Sequence, residues 1–270
     1  MKPFLSTFAL ILTAAILVGC NSSSKPSGNF SQPFWAASNE QSTATINHSR
    51  WNQLLGKYVV ANHPSKINRF RYGDVSRTDK KSLDKYIAQL AAADPRLYRK
   101  PEQKAYWINL YNALVVQQIL SHYPIASVDQ IGEMSLDSTL VTIQGKSLSL
   151  NDIEHRILRP LWRDHRVHFA LVDGSLGAPN LQPVAYTGRT VRAMLKQAGR
   201  EYLNHPRALQ VEKGKMRAAR LFSDHSGDFA TNQAGLLKLF AHYVDDRKAL
   251  YLLGFQGDIE YHQDLALNAP

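Results

Sequence analysis

Cys20 is the chain's sole cysteine, and it closes an apolar run that begins at Phe8. Between Phe8 and Val18 only Thr13 is polar, one lysine precedes the run, and a glycine ends it. This run is shorter than the roughly 20 apolar residues a membrane-spanning helix needs. A short basic start, an apolar centre and small residues at the end describe a secretory signal. Whatever folds must lie beyond it, without a disulfide, a thiol nucleophile or a cysteine metal ligand. Asn21 to about Asn47 is rich in Ser, Asn, Gln, Thr and Pro and reads as a flexible tether, with Phe30, Phe34 and Trp35 as apolar docking points within it. The expected organisation is a signal peptide over 1–19, a tether over 20–47 and one globular domain over 48–270.

The end of the signal, Leu17-Val18-Gly19-Cys20, resembles the lipobox of bacterial lipoproteins. The resemblance implies cleavage before Cys20, lipid on its thiol and attachment of the mature chain to a membrane. Asn21 then stands where an aspartate would favour retention in the inner membrane, which points to the outer membrane of the cell envelope, facing the periplasm. Losing residues 1–19 removes one lysine and no acid, taking the formal charge from +10 to +9. A basic surface suits anionic neighbours such as phospholipid headgroups, lipopolysaccharide phosphates or cell-wall polymers. Nucleic acid is not expected outside the cytoplasm, and no cofactor is expected.

Past the tether the periodicity is helical. Trp51, Leu54, Leu55 and Tyr58 recur at helical spacing from Ser49, and Leu83, Tyr86, Ile87 and Leu90 do so within Asp79 to Ala93. Pro101 suits the first turn of a third helix reaching about His122, with Pro124 beyond. Leu140 to Leu148 suggests a hairpin turning at Gln144-Gly145. Ser149 and Asp152 read as a capping box opening a helix that Pro160 interrupts. Val167 to Val172 reads as a buried strand, Thr190 to Asn204 as a helix, and Ala208 to Phe222 as two strands turning at Lys213-Gly214. Phe229 to Val244 reads as a helix and Tyr251 to Phe255 as a last strand. Leading helices with strands clustered later predict an α+β fold, a helix-rich single domain packed on a mostly antiparallel sheet.

Three patches carry candidate chemistry. On the third helix Glu102, Asn109 and Asn112 fall within roughly 80° of one another, a polar stripe on an otherwise apolar helix. It is either a site wall or a row bonded to neighbouring backbone, because a buried polar group must be paired. His155 and Arg159 are neighbours on one helical face and suit an anionic ligand, unless Asp152 and Glu154 simply neutralise them. The third patch is the strand carrying His168 and the loop Asp173-Gly174-Ser175-Leu176-Gly177-Ala178-Pro179 that follows it. Ser175 lacks the first glycine of a nucleophile elbow. The spacing of His155, His165 and His168 matches no standard metal site, so no metal is expected.

In this order the patches resemble the domain of unknown function 547 family. Trp107-Ile108-Asn109-Leu110-Tyr111-Asn112 matches its Trp-Ile-Asn-x-Tyr-Asn helix, Ile153 to Arg159 its Ile-Glu-His-x-Ile-Leu-Arg segment, and His168 to Leu171 its His-Phe-Ala-Leu segment. His262 to Asn268 partly echoes its C-terminal end. The resemblance implies cysteines at the positions occupied here by Asp173 and Ala178, so this chain cannot use a thiol there. The expected function is binding of an anionic or glycan-like envelope ligand without turnover, through Asn109, Asn112, His155 and Arg159. The alternative is a cysteine-independent hydrolase or transferase drawing its catalytic groups from His168, Asp173, Glu102 and Ser175. Both require Glu102, Asn109, His155, His168 and Ser175 to converge on one cavity.

Overall fold

The structure, a computed structural model, describes residues 32–132, 134–212 and 214–270. The expected signal peptide and Cys20 lie outside the described residues. The compact unit runs from Ser31 to Pro270. Helix α1 (Gln32–Ala36) therefore falls inside the segment expected to be a tether. That expectation is corrected for residues 32–47. Trp35 is buried edge-on against Trp107 at 5.1 Å, Gln103 donates to the Ala37 carbonyl at 2.9 Å, and the Ile46 amide donates to Glu102 at 2.9 Å. Trp35 docks as its apolar side chain suggested, whereas the polar composition hid the hydrogen bonds that fix the backbone around it.

Helix α2 (Ser49–Tyr58) buries Trp51, Leu54, Leu55 and Tyr58. The short strands β1 (Val59–Val60) and β2 (Arg69–Phe70) pair antiparallel after it. Helix α3 (Arg77–Ala92) starts where the Ser76 hydroxyl accepts the Asp79 amide, and it buries Leu83, Tyr86, Ile87 and Leu90. Helix α4 (Lys100–His122) carries Pro101 in its first turn and is buried on every face from Ala105 to Val116. A helix enclosed all round is the centre of its domain. Helix α5 (Met134–Asp137) precedes the hairpin β3 (Val141–Ile143) and β4 (Lys146–Leu148).

Ser149 and Asp152 bond reciprocally, as the capping box requires. The helix they open does not stop at Pro160. A wide π-helical stretch, Asp152–Leu158, leads into α6 (Arg159–Trp162). Proline clashes with the carbonyl four residues back and lacks its own N–H. A turn wound one residue wider relieves both, so the helix passes through. The expected strand Val167–Val172 is a 3-10 turn, His165–Phe169, capped by the Asp164 carboxylate accepting from the Arg166 amide. A short apolar run is equally consistent with buried strand or helix. Asp164 decides for the turn.

Helix α7 (Val191–Leu203) is followed by β5 (Leu209–Glu212) and β6 (Lys215–Ala219), antiparallel through a turn at Gly214, whose φ is +79°. Helices α8 (Leu221–Asp224), α9 (Ser226–Phe229), α10 (Gln233–Tyr243) and α11 (Asp246–Gly254) complete the helical part. α11 overturns the strand expected at Tyr251–Phe255. Asp245 caps it by accepting the Lys248 amide, and the strand comes later as β7 (Ile259–His262), parallel to β6. The fold is thus α+β, helix-rich, with small and mostly antiparallel sheets. A second core of Phe169, Tyr202, Phe222, Phe229 and Phe240 lies between α7, the three-stranded sheet and α10. The 3-10 turn contributes Phe169 to this core, and its other face presents His168.

Candidate functional site

The π-helical stretch turns Ile153, Ile157 and Leu158 fully inward and leaves Glu154 beside them, nearly buried. π-turns of this kind are common at functional sites. Glu154 meets two histidines from other elements. His168, on the 3-10 turn, places Nδ1 3.5 Å from Glu154 Oε1. His225, between α8 and α9, places Nε2 at the same 3.5 Å. The two imidazoles stack with centroids 4.3 Å apart. On the far side of His168, Nε2 bonds Asp228 of α9 at 2.7 Å, and Asp228 also accepts from Arg159. Tyr111, buried on α4, lines the same cavity as Glu154.

Burial alone would raise the Glu154 carboxyl. The surrounding histidines, His168 first and then His225 and His155, together outweigh that and hold it below the usual carboxylate range. Asp228 is likewise held low, against partial burial, by Arg159 and then His168. Burial pushes His225 down to about 4 despite the neighbouring Glu154, so its ring is neutral near pH 7. Among the described residues none hydrogen-bonds its buried Nδ1.

These groups stand on the wall of a cavity of about 150 Å³ that Tyr111, Asp173 and Ala178 also line. Asp173 stands exposed on the cavity wall. Loss of hydration to the protein packed around it raises its carboxyl above the usual range, against hydrogen bonding from Ser175. Gly174, at φ +84°, turns the chain directly after it, where a Cβ would lie 2.2 Å from Ile119 Cδ1. The C-terminal segment straps this loop in place: the Asn268 amide donates to the Gly174 carbonyl, and Gly177 to that of Asp264, each at 2.9 Å. The segment echoing the family's C-terminal end thus braces the loop.

The expected convergence on one cavity does not occur. His168 and Asp173 reach it. Glu102 is buried elsewhere, accepting the amides of Ile46 and Gly188 at 2.9 Å each. Asn109 clamps Tyr186, donating to its carbonyl at 2.7 Å and accepting its amide at 3.0 Å. Asn112 does the same between the Ala170 carbonyl and the Val172 amide. The Ser175 hydroxyl is buried, accepting the Ala178 amide. His155 is bonded to Arg159, and both open onto a separate depression shared with Arg163 and Asp228.

Sequence reasoning missed His225, Asp228 and the phenol of Tyr111, and treated Glu154 only as a counter-charge. A usable signal existed: Ser223-Asp224-His225-Ser226-Gly227-Asp228 is an unbroken polar run between the core residues Phe222 and Phe229. No curated protein and no solved structure matches the chain. Residues 95–203 match a family model, a region running from the turn before α4 to the end of α7 and holding Glu154, His168 and Asp173. The matching model is that of the family described as "Protein of unknown function, DUF547", and the likeness extends over that region.

Proposed function

We propose that the domain is a hydrolase or transferase whose reaction takes place in the cavity of Glu154, His168 and His225. One observation carries this reading: two histidines and a carboxylate, each from a different part of the chain, converge on a cavity with no backbone group as their shared partner. Ionisable groups gathered in a recess and shifted from their ordinary values mark sites of chemistry more often than fasteners. In this reading the cluster holds a water molecule, and Asp173 is the general base. As the water oxygen bonds to the substrate's carbonyl or phosphoryl centre, its proton passes to Asp173. The bond to the leaving group then breaks, and Asp173 returns the proton to that group. A carboxyl raised above its usual range suits this exchange better than one at its ordinary value.

The protein acts in the cell envelope as a lipoprotein attached through Cys20, on the strength of the lipobox-like sequence and the tether after it. Assay of the whole protein on ester, amide and phosphoester substrates tests the catalytic part. Asp173→Asn should cut turnover by about 10²–10⁴-fold with KM little changed. Absence of turnover on every class, or an Asp173→Asn variant as active as the parent, removes the enzyme reading.

A second reading, binding of an anionic envelope ligand without turnover, is favoured by the depression of about 480 Å³ that His155, Arg159 and Arg163 line. There Arg159→Met should weaken binding of polyphosphate or anionic glycan while no product forms.

A further inference from the structure

The spacing of the cluster carries a statement about what occupies it. Neither protonation state of His168 accounts for these distances by protein contacts alone. A neutral His168 that donates Nε2–H to Asp228 turns the bare lone pair of Nδ1 toward the Glu154 carboxylate, which is repulsive. A charged His168 would instead donate at both ends, and a charge-assisted N–H···O bond has a length of about 2.7–2.9 Å. The Asp228 contact meets that length at 2.7 Å, but the Glu154 contact is 3.5 Å. The second histidine repeats this longer value, with His225 Nε2 at 3.5 Å from the same oxygen, Oε1. Three donor atoms thus face one another, at most 4.8 Å apart, without bonding directly.

A metal ion accounts for this spacing. Ligand atoms about 2.0–2.2 Å from a tetrahedral centre are about 3.3–3.5 Å from one another. Both Glu154 contacts have that length. The wider separation between the two histidine nitrogens closes by rotation of the His225 ring, which no hydrogen bond at Nδ1 restrains. Asp228 supplies what a metal-bound histidine needs behind it, a carboxylate on the other ring nitrogen that sets the tautomer and aims Nδ1. The surroundings favour a cation too. Although the chain carries a formal +10, the cavity wall holds Glu154, Asp173 and Asp224 against Arg220, which is itself 3.5 Å from Asp224.

We infer that Glu154 Oε1, His168 Nδ1 and His225 Nε2 form a three-ligand site for a divalent transition-metal ion, with zinc the best fit to the ligand set and a remaining position open to the cavity. Two imidazoles and one carboxylate suit zinc, cobalt(II) or iron(II), whereas magnesium and calcium prefer oxygen donors alone. This deepens the proposed function, since the cluster was there given the task of holding the water.

The test uses the whole protein, stripped with a chelator and then equilibrated with zinc(II) or cobalt(II). One zinc per chain is expected by elemental analysis, and cobalt should give visible d–d bands of a low-coordinate nitrogen–oxygen site. Glu154→Gln and His225→Asn should lose the bound zinc and those bands. Asp228→Asn, acting only through His168, should weaken zinc affinity about 10–100-fold. His122→Gln, at the exposed end of α4, should leave the stoichiometry at one and separates this site from casual capture by surface histidines. No zinc uptake by the parent, or uptake unchanged in both Glu154→Gln and His225→Asn, overturns the metal site. Zinc bound without turnover keeps the metal site and sinks the enzyme reading. Turnover without zinc keeps the enzyme reading and sinks the metal site.

Discussion

Helix α4 and the cluster around Glu154 both bury polar side chains, yet they differ in what answers those groups. On α4, Glu102, Asn109 and Asn112 each hold a pair of backbone groups at ordinary hydrogen-bond distances. The stripe pins residues near Ile46, Tyr186, Gly188 and the chain between Ala170 and Val172 to one central rod. In the cluster the partners are other ionisable side chains, separated by 3.5 Å and open to a cavity. A buried polar group with a backbone partner on each side does structural work. Groups that answer one another incompletely are left available for a ligand.

This comparison breaks most readily at Glu102. Glu102→Ala would leave two buried backbone donors unpaired at about 1–3 kcal/mol each, plus a small void. A loss of about 3–5 kcal/mol in urea unfolding is expected, and a loss below about 1 kcal/mol would mean the row is not a fastener. His48 extends the fastening inward from α4. It bonds the Tyr86 hydroxyl at 2.6 Å, lies 3.4 Å from the Asn109 amide, and burial pushes it down to about 4. Because its folded value lies below the unfolded one near 6.5, the unfolded chain takes up a proton first as pH falls. Its contribution is therefore whole above about pH 7 and lost progressively between 6.5 and 4, on the order of 3 kcal/mol in all. His48→Gln should flatten the stability profile in that window relative to the parent, and an unchanged slope would refute the assignment. Asn112→Ala comes next, at about 2–3 kcal/mol, because the Ala170 carbonyl and the Val172 amide both lose their partner. The smallest effect is expected at the cluster itself. His225→Asn should shift metal-free stability by no more than about 1 kcal/mol, the ring being partly exposed and one nitrogen unbonded. A cost above 3 kcal/mol there would place His225 among the fasteners and erase the contrast.

Local physics was legible in the residue order. The period of Leu83, Tyr86, Ile87 and Leu90, Pro101 at the head of α4, the capping pair Ser149–Asp152 and the turn at Gly214 each involve residues a few positions apart. Interactions of that range are encoded where the chain is read. The polar stripe of α4 was visible for the same reason, as were His168 and Asp173 near the end of an apolar run. Tertiary structure alone decided which polar groups would be satisfied. Asn109 finds Tyr186 at a sequence separation of 77, and Glu102 finds Gly188 at 86. His168 finds Asp228 at 60, across elements whose docking depends on the second aromatic core. Helical spacing can place a side chain on a face, but only the packing of distant elements determines what that face meets.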